Sequence, residues 1–84
     1  MLKVLKFGGT SVGTAARIQT VKDLVEHAAT TCDKVVVVVS AMGGVTDALI
    51  DTARKAQAGD ETYRDQLDEI YYRHRKAAEE LFTA

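Results

Sequence analysis

Lys6-Phe7-Gly8-Gly9-Thr10-Ser11 brings one cation, two adjacent glycines and two hydroxyls into six consecutive positions. Adjacent glycines let a backbone approach a ligand closely, and each offers an N–H that no side chain obstructs. With the hydroxyls of Thr10 and Ser11 alongside and a positive charge at Lys6, the group suits an oxyanion, above all a phosphate. The logic recurs in Ser40-Ala41-Met42-Gly43-Gly44-Val45-Thr46-Asp47: hydroxyl, paired glycines, hydroxyl. Each stretch also has a plainer reading. A glycine pair makes an ordinary turn, Ser40 and Thr46 suit helix caps, and Asp47 suits a helix's first turn, where the dipole favours a carboxylate.

The first stretch is neither of two familiar phosphate loops. The lysine precedes the glycines, unlike G-x-x-x-x-G-K-[ST], and the G-x-G-x-x-G spacing is absent. Other reactive residues offer less. His27 and His74 have no carboxylate or cysteine at ligand spacing, and Cys32 has no histidine or basic cluster to lower its pKa. Tyr71 and Tyr72 are adjacent, so on a helix they splay apart and serve packing rather than stacking.

The elements around these stretches follow from their apolar patterns. Lys3 to Phe7 reads as a strand whose apolar residues, Val4, Leu5 and Phe7, are nearly continuous, as in a strand buried on both faces. Ala15 to about Ala29 reads as a helix: Ile18, Val21, Val25 and Ala28 recur at three and four, Leu24 widens the stripe, and Thr14 is the cap. Thr30 to Asp33 form a loop. Five valines, Val35 to Val39, then make poor helix and good central strand. Strand, helix, strand predicts a parallel pair with a right-handed crossover. Both glycine stretches then leave the same carboxyl edge, where ligands of open parallel sheets sit. A helix follows from Thr46 or Asp47 to about Gln57, stopped by Gly59.

From about Asp60 to Phe82 the texture is that of a long amphipathic helix. Tyr63, Leu67, Ile70, His74, Ala77 and Leu81 form a heptad-like seam, and Glu69 with Arg73 and Lys76 with Glu80 are placed as surface pairs. Two strands that both look buried make a minimal sheet with exposed edges. The chain therefore reads as the first portion of a larger α/β domain; standing alone, it is expected to self-associate through a sheet edge or the apolar helix face.

Composition agrees with an α/β polypeptide. Of the 84 residues, 46% are hydrophobic, which argues against disorder. A net charge of −1 gives no electrostatic reason to expect nucleic acid or an anionic membrane as partner. The one cysteine cannot form an internal disulfide, and no signal peptide or bilayer-spanning run is visible. The expected compartment is the cytoplasm.

Taken together, Lys6 to Val12 (KFGGTSV) and Val39 to Asp47 (VSAMGGVTD) strongly resemble the start of aspartokinases in the amino acid kinase superfamily. Kinases for glutamate, acetylglutamate or uridylate share a lysine-and-glycines opening, but both continuations here look like aspartokinase. The likeness covers about the first sixty residues. It implies the N-terminal part of a three-layer α/β catalytic domain that moves the ATP γ-phosphoryl group, with Mg²⁺ carried on the nucleotide, to the β-carboxylate of L-aspartate, opening lysine, threonine and methionine synthesis. By the same resemblance, Lys6, Gly8 and Gly9 match the phosphoryl-stabilising positions. Thr10 and Ser11 line that cradle, Ser40 and Thr46 contact aspartate, and no residue here ligates a metal directly. A homo-oligomer is implied. The family's later aspartate-gripping residues, nucleotide base pocket and regulatory ACT domains fall outside these 84 residues, so the polypeptide by itself is expected to be inactive. Two other readings stay open: an amino acid kinase with a different acceptor, and a non-catalytic, self-associating helix–sheet module.

Overall fold

In a computed structural model, residues 1–82 are described and form an α/β chain of two parallel strands and three helices. The order is β1 (Leu2–Phe7), α1 (Ala15–Thr31), β2 (Lys34–Val39), α2 (Val45–Gln57) and α3 (Tyr63–Leu81). They divide into two compact units, Met1–Gly43 and the residues from Gly44 onward.

In the first unit β1 and β2 pair in parallel, from Leu2 opposite Lys34 to Phe7 opposite Val39. The valine run forms β2 because five β-branched side chains crowd a helix but fit a pleated strand. Thr14 caps α1, its Oγ1 accepting from the Arg17 N–H at 3.2 Å. Replacing Thr14 with alanine should lower the unfolding free energy by about 1 kcal/mol, read from urea denaturation. An unchanged midpoint would show that the cap contributes nothing. At the amino edge, the Met1 ammonium pairs with the Asp33 carboxylate while the Asp33 N–H donates to the Met1 carbonyl, tying the start of β1 to the start of β2.

Helix α1 lies on one face of the sheet, burying Ala15, Val21 and Ala28 and half-burying Leu5 and Phe7. The expectation that both strands are buried on both faces is not met. Val4, Val36 and Val38 are 61%, 47% and 45% exposed. A single helix covers at most one face of a two-stranded sheet, and α1 covers that face only in part, since Val37 and Val39, which alternate with Val36 and Val38, are themselves 39% and 57% exposed. Full burial of a valine contributes about 1.5–3 kcal/mol, so much of the apolar content of β2 goes unused in these contacts.

In the second unit α2 packs against α3. Gly44 opens α2 in the left-handed region at φ 83°, a conformation open to glycine at little cost. The helix closes in a Schellman turn: Gly59, at φ 77°, donates to the Ala56 carbonyl, and the Asp60 N–H to that of Lys55 at 2.9 Å. Asp60 then turns the chain, its Oδ1 accepting from both the N–H and the hydroxyl of Thr62, which holds its carboxyl below the usual range. Within α3 the inward stripe is Tyr63, Gln66, Ile70, Arg73, Ala77 and Leu81, of which Ala77 is buried and the other five half-buried. The predicted seam is thus displaced at two steps, with Leu67 and His74 exposed and Gln66 and Arg73 in their place. Gln66 is drawn in because its Nε2 donates to Asp51 of α2 at 3.1 Å, and His74 Nδ1 meets the Ile70 carbonyl of its own helix.

Candidate functional site

At the carboxyl edge of the first unit, β1 runs into Gly8–Thr14 and β2 into Ser40–Gly43. The strand ladder continues past both strands: the Ser40 N–H donates to the Phe7 carbonyl at 3.1 Å, and the Gly43 N–H to the Gly9 carbonyl at 2.9 Å. The two loops therefore lie backbone against backbone. A Cβ placed on Gly9 would come within 3.1 Å of both the Ala41 oxygen and the Gly43 Cα, and 3.2 Å from the Gly43 nitrogen. No residue larger than glycine fits Gly9 without moving the second loop. Gly8 differs, because a Cβ there meets nothing within 4 Å. Its open surroundings leave space for a ligand beside the chain.

Lys6 is exposed between the half-buried Leu5 and Phe7. Alternation along β1 puts it on the sheet face opposite α1, beside Val38. Thr10 is exposed and Ser11 half-buried. The Thr10 carbonyl accepts from the Gly13 N–H at 3.3 Å, which curls the loop toward α1. Ser11, Phe7, Arg17 and Thr20 line a half-open depression of about 140 Å³ between the loop and α1. Val21 and Leu24 complete its lining.

Six of the sequence-predicted residues, Lys6, Gly8, Gly9, Thr10, Ser11 and Ser40, thus fall on one edge of one unit. Thr46 belongs to the other unit, exposed on the first turn of α2. It is not the cap of that helix, since Gly44 holds that position and no side chain caps it. What sequence reasoning missed is Gly43, whose N–H joins the loops. The repeated glycine pair was its only visible signal.

A parallel strand pair with a helical crossover, two interlocked glycine loops at its carboxyl edge and a lysine one strand position back describe the class of open parallel α/β domains. The family model described as "Amino acid kinase family" matches residues 1–83, and the chain belongs to that family. It is 42% identical over 83 residues to a maize bifunctional aspartokinase/homoserine dehydrogenase 1, chloroplastic, covering 99% of this chain and 9% of that protein. It is 53% identical over 69 residues to an aspartate kinase of Pseudomonas fluorescens, covering 82% of the chain and 17% of the relative. An aspartokinase of a Bacillus species is 51% identical over 57 residues, 68% of the chain and 14% of the relative. The chain therefore spans less than a fifth of the length of these relatives.

Proposed function

We propose that this chain supplies the phosphoryl-handling start of an aspartate kinase, which transfers the γ-phosphoryl group of ATP to the β-carboxylate of L-aspartate. The observation that carries the reading is the backbone interlock of the two glycine loops at the sheet's carboxyl edge, with Lys6 one strand position behind. The relatives at 42–53% identity are aspartate kinases by name, which favours aspartate as acceptor.

In such a transfer a carboxylate oxygen of aspartate forms the new P–O bond as the bond to the ADP oxygen breaks. Negative charge spreads over the phosphoryl oxygens. Preset N–H donors and a cation stabilise that charge without reorganising at the moment of reaction. Lys6, Gly8 and Gly9 take this role, Thr10 and Ser11 line the same cradle, and Ser40 and Thr46 serve the acceptor. The cradle fits a phosphoryl group because its walls are backbone, with room at Gly8 and none for a side chain at Gly9. We assign Mg²⁺ to the nucleotide's own phosphates, where it would neutralise charge when bound.

The compartment we assign is the cytoplasm, since the single cysteine, Cys32, is free and asks for no oxidising environment. The name of the maize relative places that protein in the chloroplast. Among the described residues no helix is long and apolar enough to cross a membrane. We also assign self-association, supported by the uncovered valine face of the sheet; a stable monomer at high concentration in sedimentation would remove that assignment.

The function is tested by a chimera in which this chain replaces the aligned segment of the Pseudomonas fluorescens enzyme. With ATP, hydroxylamine and aspartate, the chimera should form aspartyl hydroxamate, and the isolated chain should form none. A folded chimera that is inert, or one that prefers glutamate as acceptor, would overturn the assignment.

A further inference from the structure

The Gly43 N–H does more than join two turns, because it fixes the direction of a neighbouring donor. All peptide bonds among the described residues are trans, and a trans peptide sets its N–H antiparallel to its own C=O. The Gly9 carbonyl is drawn toward Gly43 at 2.9 Å. The N–H of the same peptide unit, that of Thr10, is therefore turned away from the second loop. By the same rule the Phe7 carbonyl, drawn toward Ser40 at 3.1 Å, turns the Gly8 N–H away as well. Neither of these two amides has a backbone partner among the described residues. Two donors, two residues apart, thus leave the first loop on one side, where each is free to meet an oxygen of a phosphate or diphosphate.

We propose that Gly43 is a positioning residue for the phosphoryl cradle: its N–H holds the Gly9–Thr10 peptide so that the Thr10 N–H stands as a fixed donor beside that of Gly8. The proposal rests on the phosphoryl-transfer reading above. Gly43 does not touch the phosphoryl group; it acts through Gly9. A Cβ on Gly43 would lie 3.3 Å from the Gly9 oxygen, so the carbonyl that accepts the hydrogen bond would have to give by a few tenths of an ångström.

The test uses the isotopically labelled chain, amide hydrogen exchange and inorganic pyrophosphate as the probe. The Gly43 amide should exchange about a hundredfold more slowly than an unstructured amide. Pyrophosphate should shift the Gly8 and Thr10 amide resonances saturably. In Gly43→Ala, Gly43 protection should fall about tenfold and the Thr10 response should need about tenfold more pyrophosphate, a 1.4 kcal/mol loss, with unchanged far-ultraviolet dichroism. Should Gly43→Ala retain its protection, Gly9→Ala replaces it, because a Cβ there meets three backbone atoms of the second loop. A wild-type Gly43 amide that exchanges freely overturns the proposal, and so does an undiminished Thr10 response once protection is lost. If Gly43 is protected yet pyrophosphate moves no loop amide in the wild type, the phosphoryl reading itself falls and the proposal with it.

Discussion

Replacing Lys6 with methionine in the chimeric kinase should lower kcat about a hundred- to a thousandfold, roughly 3–4 kcal/mol of lost transition-state stabilisation. Methionine keeps an unbranched apolar stem and removes only the charge, so packing beside Val38 is retained. Lys6 is exposed, and no ion pair to a carboxylate holds it among the described residues. The isolated chain carrying the same change should therefore keep its stability within about 0.5 kcal/mol. Loss in kcat with little change in KM for ATP would mark a charge used in the transition state rather than in binding. A kcat within threefold of the parent's would remove Lys6 from the mechanism.

The second large effect is on stability. Gly9→Ala should destabilise the chain by about 1–3 kcal/mol, because the new methyl can be accommodated only by displacing backbone atoms of the second loop. For a domain of this size each kcal/mol lowers Tm by about 4–8 °C, well within the reach of a thermal melt. Gly8→Ala is the comparison. It meets open space and needs no left-handed backbone, so its Tm should stay within about 4 °C of the parent's. Equal effects at the two glycines would mean that the loops are not interlocked.

The division between these two glycines shows where sequence reading stops. Both were legible as a pair, and the valine run, Thr14 and Gly59 announced the second strand, the first cap and the end of α2 through local chemistry alone. Their physical causes are short-range: β-branching, a hydroxyl three residues ahead of an N–H, a residue free to adopt positive φ. Which glycine is closed in by the other loop depends on residues more than thirty positions apart, and no local pattern carries that. The same holds in α3. Apolar spacing favours Leu67 and His74, but the strip that α2 covers is narrow, and an amide able to reach Asp51 turns Gln66 inward. Thr46 shows a third kind of miss. It stands two residues past the cap position, and Gly44 opens the helix through its backbone instead. Lys6 was found from charge and position, while the face it occupies required the register with Val38.

The open valine row bears on handling the polypeptide. Val35 to Val39 is a five-residue window of high β-propensity with no charge and no proline, in a strand that among the described residues is paired on only one side. Such a window is a template for cross-β stacking between chains. Lys34 and Asp33 stand at its amino side as charged gatekeepers, whereas Ser40, Ala41 and Met42 leave the carboxyl side without one. Fibril formation at high concentration should therefore start from this strand, and charge on the solvent face, as in Val36→Lys, should delay it. Thioflavin fluorescence over time reads that delay.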